Sequence, residues 1–359
     1  MEKKLKKQDY KLLYAYGRPF APFYSFAMGM RAALYQREVF KVHRLPVPVI
    51  SVGNLTMGGT GKTPLVIYLA RLLARIYRPA VVSRGYGGQA RGRVNIVSDG
   101  EKILLKPPVA ADEASLIAES VNIPVLTGTN RAAVAKLAVG QLGADLILLD
   151  DGFQHMALHR DINLVLFKEA TFLGNNRVFP GGDMREPLKA LERAHAFIIT
   201  EVTDQEKARS YKRALQKRFP AIPVFFSEYS PTGLVDLQGN LTSLTAGNDS
   251  TFWAFCGLAH PDSFKQSLKT YGLRVAGFTS FKDHQSYSAH KIKRLIARAR
   301  KAGADTLLTT EKDLVKIREH NPAMPVVALQ MEVRMADDFT EFIRTSLEEY
   351  KTGINAPAP

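Results

Sequence analysis

Gly58-Gly59-Thr60-Gly61-Lys62-Thr63 puts three glycines, a lysine and two hydroxyls within six residues. Such a run lets backbone N–H groups close around phosphate oxygens without obstruction from Cβ atoms. A helix that starts there adds its partial positive charge. Lys62 would then reach the β- and γ-phosphates, and the Thr63 hydroxyl would hold Mg²⁺. The strict P-loop pattern wants a glycine five residues before Gly61, where Thr56 stands. The run is therefore the GGxGKT variety, with Met57 where some such proteins carry a second lysine. A P-loop also needs a carboxylate at the end of a neighbouring buried strand. Leu146-Ile147-Leu148-Leu149 followed by Asp150 and Asp151 has that form, although either acid could instead cap a turn.

The surrounding pattern positions these groups. Short apolar runs alternate with amphipathic stretches from Val47 onward, which predicts an α/β fold with a parallel sheet and crossover helices. Strands are expected at 47–52, 79–83, 144–150, 162–167, 196–200 and 222–226, and helices at 62–77, 114–121, 131–142 and 205–218. Alternating apolar positions around Gly239 and Asn240 predict a β-hairpin. The α/β rhythm then resumes, with strands at 252–256, 274–281, 305–309 and 326–330. Helices are expected from Pro261, at 288–301, from Glu311 and at 336–350. The implied domains are a basic, aromatic segment over 1–45, a P-loop domain over 46–231 and a smaller α/β domain over 232–352. A disordered tail is expected over 353–359.

Seven blocks, in order, resemble the tetraacyldisaccharide 4′-kinase (lipid A 4′-kinase) family. They are Gly53 to Pro64; Ser83-Arg84-Gly85-Tyr86-Gly87; Ala111-Asp112-Glu113; Asp150-Asp151-Gly152-Phe153-Gln154-His155; Arg185-Glu186-Pro187; Phe281-Lys282-Asp283-His284; and Thr310-Glu311-Lys312-Asp313. Thr56 fits the family pattern, whereas Ala111 and Ala114 stand where glycine and proline are usual. The resemblance implies transfer of the ATP γ-phosphate to the 4′-hydroxyl of a tetraacylated glucosamine disaccharide 1-phosphate. It also implies a P-loop NTPase-like α/β/α sandwich joined to a second α/β domain through a β-ribbon.

Roles follow from the matched positions. Thr56 to Thr63 would bind nucleotide. Lys62, with Mg²⁺ held by Thr63 and Asp150 or Asp151, would neutralise the phosphates. Asp112 would accept the hydroxyl proton, coupled to His284, whose imidazole suits proton relay. Glu113, Gln154, Arg185 and Glu186 would support the site, with surface ion pairs as the plainer option for the arginine and glutamate. His155 lines the site or packs beneath it. His260 fits a helix cap better than a nucleotide neighbour. Glu311, Lys312 and Asp313 either meet the nucleoside or cap a helix.

Composition bounds the partners. The 359 residues carry a net charge of +15, and residues 1–45 hold ten Lys or Arg against Glu2, Asp9 and Glu38. Phe20, Phe23, Tyr24, Phe26, Met28 and Met30 lie among them. Only twelve uncharged residues separate Arg18 from Arg31, too few to span a bilayer, which takes roughly 20. Two readings fit this segment: a basic interfacial helix or hairpin, or a helix packed on its own domain with solvated lysines. Beside the lipid-kinase resemblance, the first places a peripheral monomer on the cytoplasmic face of a bacterial inner membrane. No zinc-finger spacing or aromatic-basic RNA motif supports a nucleic-acid partner. The lone Cys256 ends an apolar run and reads as a buried, inert thiol. The leading alternative function is a GGxGKT-type ATPase acting on a protein or on metal insertion; against it, position 57 is Met and Asn-Lys-x-Asp is absent.

Overall fold

The computed structural model describes residues 13–245, 250–258, 261–283 and 285–353. Helix α1 (Ala21–Gln36) precedes strand β1 (Val49–Asn54), helix α2 (Lys62–Leu73) and strand β2 (Pro79–Ser83). Next come β3 (Asn95–Asp99), α3 (Asp112–Ser120), β4 (Pro124–Thr127), α4 (Arg131–Leu142) and β5 (Leu146–Asp150). They are followed by β6 (Ile162–Lys168), β7 (Ala196–Thr200), α5 (Gln205–Arg218), β8 (Val224–Asp236) and β9 (Leu241–Thr242). The chain continues through β10 (Phe252–Cys256), α6 (Pro261–Thr270), β11 (Val275–Ser280) and α7 (Ala289–Lys301). It ends with β12 (Thr306–Thr310), α8 (Glu311–Leu314), β13 (Val326–Met335) and α9 (Asp337–Thr352). The fold class is α/β, as the alternation of runs requires.

The described residues form two compact units: those up to 84, 130–228 and from 334 onward make one, and those within 85–129 and 229–333 the other. The stretch 46–231 thus contributes to both. In the first unit the strands run in the order β8-β7-β6-β1-β5-β2, each paired in parallel with its neighbours in that order. All residues of β1, β2, β5 and β7 are buried, which is why these strands read as unbroken apolar runs. Val165, Phe167, Phe197 and Ile199 pack with Ala208 and Leu215 of α5 and with Phe219. Asp204 caps that helix, accepting from the N–H groups of Glu206 and Lys207 at 3.0 Å each. The last helix, α9, belongs to this unit too. Phe339 meets Phe225 edge-on, and the Tyr68 and Thr340 hydroxyls are 3.2 Å apart.

The second unit has β11-β10-β12-β13 in parallel and β3 antiparallel to β4. Its strands divide their side chains between two cores. Phe255, Leu307 and Ala328 face Ile292, Leu295 and Ile296 of α7, while Ala254, Cys256 and Leu308 face Phe264 and Leu268 of α6. Cys256 is fully buried, and burial pushes its thiol up to about 12, so it is inert as expected.

Most strand and helix expectations hold to within a few residues. The exceptions have physical causes. β3 and β4 were not expected as strands; β3 is interrupted by a bulge between Ile96 and Ser98, and β4 spans four residues, so neither shows a clean period. β8 passes through residue 232 without a break before pairing with β9 through Leu234 and Thr242. The helix expected at 114–121 begins at Asp112, and Asp112 and Glu113 form its first turn. The tail 354–359, His260, His284 and the lysines before residue 13 lie outside the described residues.

Candidate active site

β1 delivers the chain into the glycine turn, and two left-handed positions shape it. Gly58 has φ 118° and Gly61, the residue before α2, has φ 80°. Side chains disfavour both values, so glycine is required there. The turn is tied down from three directions. Asn54 Nδ2 donates to the Thr56 carbonyl at 2.7 Å, Met57 N donates to the Asp183 carbonyl at 2.7 Å, and Thr200 Oγ1 donates to the Thr60 carbonyl at 2.9 Å. Thr56 and Thr60 are buried, whereas Met57 is exposed and Thr63 sits half-buried on the first turn of α2.

Lys62 Nζ lies 3.2 Å from Asn54 Oδ1, to which it donates, and 3.4 Å from Asp151 Oδ1. β5 pairs with β1 so that Asp150 sits beside Val52, one strand from the turn. Asp150 is buried at the strand end. Asp151 follows in a left-handed conformation, φ 53°, which turns its carboxylate toward the lysine. Arg185 Nη1 donates to both Asp151 oxygens at 2.9 Å and to Gln154 Oε1 at 3.3 Å. Gln154 Nε2 closes the ring by donating to the Asn54 carbonyl at 2.9 Å. Burial opposes ionisation of Asp151, but Lys62, Arg185 and Arg131 outweigh it and hold the carboxyl below its usual range. Glu186 is buried and takes Arg193 Nη2 at 2.7 Å, while the Arg193 guanidinium lies over the Phe153 ring. That ion pair braces the loop instead of facing solvent.

Two arginines not singled out in sequence join this unit's site. Arg131, at the start of α4, is only 6% exposed, and its charge is felt by Asp151. Burial lowers its pKa, with Asp151 and Asp150 acting against that. A cation at a helix N-terminus opposes the helix dipole, so nothing in its local sequence flags it. Arg31 of α1 donates to the Gln154 carbonyl at 3.3 and 3.4 Å, and the Tyr24 hydroxyl donates to the Arg185 carbonyl at 3.3 Å. His155, five residues past the end of β5, is half-buried. Burial, then the charges of Arg131, Arg160 and Arg31, push it down to about 4.

α1 also presents exposed apolar side chains. Phe23 is 76% exposed, Phe26 73% and Met30 52%. Among the described residues, no helix is long and apolar enough to cross a membrane.

The second unit carries Asp112 and Glu113 on the first turn of α3. Asp112 Oδ2 lies 3.4 Å from Lys316 Nζ; Lys312 Nζ lies 3.9 Å from Glu113 Oε1 and 3.6 Å from Asp283 Oδ1. Glu311 braces β13, accepting from Met331 N at 3.2 Å and from Gln330 Nε2 at 3.3 Å. Thr310 Oγ1 accepts from Asp313 N at 3.3 Å, a cap for α8. Thr310, not Glu311 or Asp313, supplies that cap; Asp313 Oδ2 accepts from Gly257 N at 2.8 Å and from Thr310 Oγ1 at 2.9 Å.

The donor set suits Mg²⁺, which takes hard oxygen ligands and keeps several positions for water and substrate phosphate. Asp150, buried beside the glycine turn, and the Thr63 hydroxyl supply such oxygens. No group of three or more His, Cys, Asp or Glu among the described residues forms a self-contained metal cage.

A model of the tetraacyldisaccharide-1-phosphate 4′-kinase family matches residues 13–348. The chain is 42% identical to a tetraacyldisaccharide 4′-kinase of Desulfotalea psychrophila, over 94% of its own length and 97% of that protein. It is 40% identical to the one from Syntrophus aciditrophicus, with 93% and 92% covered. Among solved structures, LpxK from Aquifex aeolicus in complex with ATP superposes with a TM-score of 0.74 at 30% identity, covering 92% of this chain and 98% of that one.

Proposed function

The chain belongs to the tetraacyldisaccharide-1-phosphate 4′-kinase family, and from that premise we propose how its own residues carry out the transfer. The enzyme moves the ATP γ-phosphate to the 4′-hydroxyl of a tetraacylated disaccharide 1-phosphate in lipid A biosynthesis. The match across residues 13–348 does not favour the alternative of a GGxGKT-type ATPase.

One observation carries the residue assignment: Lys62 is held between Asn54 and Asp151 at the mouth of a glycine turn that opens a helix. An incoming phosphate replaces those two partners with a stronger one, so the lysine is placed before the nucleotide arrives. Backbone N–H groups from Gly58 to Thr63 take the phosphate oxygens. Mg²⁺, when bound, neutralises charge on the β- and γ-phosphates, and Thr63 with Asp150 are its proposed protein ligands. Asp151 is the electrostatic partner of Lys62 and Arg185, since both its oxygens are engaged by Arg185. Arg185, Arg131 and Gln154 keep that carboxylate and the turn in register.

Asp112 is the proposed proton acceptor. As the 4′-oxygen bonds to the γ-phosphorus, its proton passes to the Asp112 carboxylate. The bond from that phosphorus to the β-phosphate oxygen breaks, and ADP leaves with its electron pair. His284 remains proposed as the partner of Asp112.

The outward face of α1 supports docking on a membrane. Phe23, Phe26 and Met30 lie about one turn apart on a helix that Tyr24 and Arg31 pin. Apolar side chains so displayed enter the interfacial layer, and the basic N-terminal segment suits anionic headgroups. The proposed setting is peripheral, on the ATP-bearing cytoplasmic side of the inner membrane.

The test supplies γ-labelled ATP, Mg²⁺ and the acylated disaccharide 1-phosphate in detergent. Wild type should label the lipid, and Lys62→Ala should lose about 10³-fold or more in turnover. ATP hydrolysis without lipid labelling would overturn the kinase reading, and a Lys62→Ala variant with normal turnover would remove that side chain from the phosphate site.

A further inference from the structure

Lys316 is a lysine for which the scheme above has no use, and its surroundings are too ordered for a solvated surface charge. Its side chain is 6% exposed. The ammonium lies 2.9 Å from Asp313 Oδ1 and 3.4 Å from Asp112 Oδ2. Asp313 is itself fixed: it is fully buried, and its Oδ2 accepts from Gly257 N at 2.8 Å and from Thr310 Oγ1 at 2.9 Å. The Tyr287 ring lies 5.5 Å from the ammonium, and Phe255 and Phe281 hold that ring edge-on. A flexible four-carbon stem thus ends in one place. Asp313 alone neutralises the buried ammonium, so its approach to a second carboxylate must be accounted for separately. That second carboxylate is Asp112, on the first turn of α3, where the helix dipole also favours negative charge.

We propose that Lys316 is a positioning residue for phosphoryl transfer, holding the Asp112 carboxylate by Oδ2 in the ionised form and rotamer that accept the acceptor hydroxyl's proton. The inference rests on the reading of Asp112 as proton acceptor. Asp313, Gly257, Thr310 and Tyr287 set the lysine, and the lysine sets the acid. The spacing of Asp313 and Lys316, three residues apart, brings them together at the end of α8. Lys312, one turn earlier, faces Glu113 and Asp283, so the two lysines divide the acids between them.

The experiment measures kcat and both KM values on the full chain with ATP, Mg²⁺ and lipid substrate. Lys316→Met should lower kcat by about 30- to 100-fold while moving each KM by less than about threefold, the mark of a misplaced catalytic group. Lys316→Arg should recover at least about tenfold of that loss, because a cation returns to the same place. Removing the lysine alone strands buried Asp313, so Lys316→Met is paired with Asp313→Asn, which removes both charges and keeps an acceptor for Gly257 N. That double variant should melt like wild type and show the same loss in kcat. In an Asp112→Asn background, adding Lys316→Met should change kcat by less than about threefold, since both act through one group. A double variant that folds and turns over at the wild-type rate overturns the proposal, as does a Lys316→Met effect that persists undiminished without Asp112. Should Asp112→Asn itself keep wild-type kcat, the reading of Asp112 fails first, and the two failures are told apart.

Discussion

Replacing Asp151 by Asn separates the two neighbouring acids at the end of β5. The Asp151 carboxylate accepts Arg185 Nη1 on both oxygens at 2.9 Å and lies 3.4 Å from Lys62 Nζ. At an effective dielectric of about 20, unit charges 3.4 Å apart interact by ~5 kcal/mol. The Asp151 side chain is 31% exposed, so water screens much of this. A charge-assisted hydrogen bond in such a setting is worth a net of about 2 kcal/mol, or roughly 30-fold in rate if felt in the transition state. Asp151→Asn is therefore expected to lower kcat about 30-fold, with the Mg²⁺ concentration for half-maximal rate little changed. Asp150→Asn, at the proposed metal position, should instead raise that concentration by about tenfold or more and cost about 10³ in turnover. The assay is initial-rate lipid phosphorylation over a Mg²⁺ titration, beside thermal melts of each variant. A shifted Mg²⁺ midpoint in Asp151→Asn with none in Asp150→Asn would reverse the assignment, and the geometric argument with it.

Further outcomes follow from the same packing. His155 is pushed down to about 4 in the folded chain, against 6.5 ordinarily, so on acidification the unfolded state takes up its proton first. Its contribution is intact above pH ~6.5 and declines as pH falls toward about 4; wild type should lose ~2 kcal/mol more than His155→Gln between pH 7 and 5 in urea unfolding. Equal losses would mean that the ring is not buried neutral. Phe23→Ser with Phe26→Ser should weaken binding to anionic vesicles about 10- to 100-fold, from ~1–3 kcal/mol of lost apolar burial. Unchanged co-sedimentation would leave α1 a packing helix alone. A Cβ on Gly53 would lie 2.5 Å from Phe153 Cβ and 2.8 Å from its backbone nitrogen. Gly53→Ala should thus cost ~1–3 kcal/mol and lower the melting midpoint by roughly 2–6 °C. An unaltered melt would show that the contact relaxes freely.

The parts legible in the chain were those whose physics is local. A strand buried on both faces must be apolar throughout, so β1, β2, β5, β6 and β7 stood out as runs. Helix starts carried their caps, as at Asp204 and Ser288, whose side chains accept from the first-turn N–H groups of α5 and α7. β3 and β4 escaped because a bulged strand and a four-residue strand leave too few positions to establish a period. Glu311 and Asp313 left two options open, because a strand-to-helix turn suits both a nucleoside contact and a helix cap. The cap came from Thr310, and the backbone N–H groups that Glu311 and Asp313 accept from, Met331 N and Gly257 N, are distant in sequence and so carry no local signal.

The glycine turn, its lysine and the paired acids were determined by the sequence alone, because left-handed backbone positions demand glycine and a buried strand ending in two aspartates is costly unless something binds them. Composition likewise marked the N-terminal segment as basic, aromatic and too short to span a membrane. Folding decided what those groups touch. Asp151 separated from Asp150 only when Arg185, 34 residues on, closed over it. Arg131, Arg31 and Lys316 acquired their meaning from neighbours supplied by other elements. The exposure of Phe23 and Phe26 likewise goes with contacts made by Tyr24 and Arg31 to residues more than 100 positions away. Local conformational preference is written residue by residue, whereas charge pairing and burial are properties of pairs, and the pairs exist only once the chain has folded.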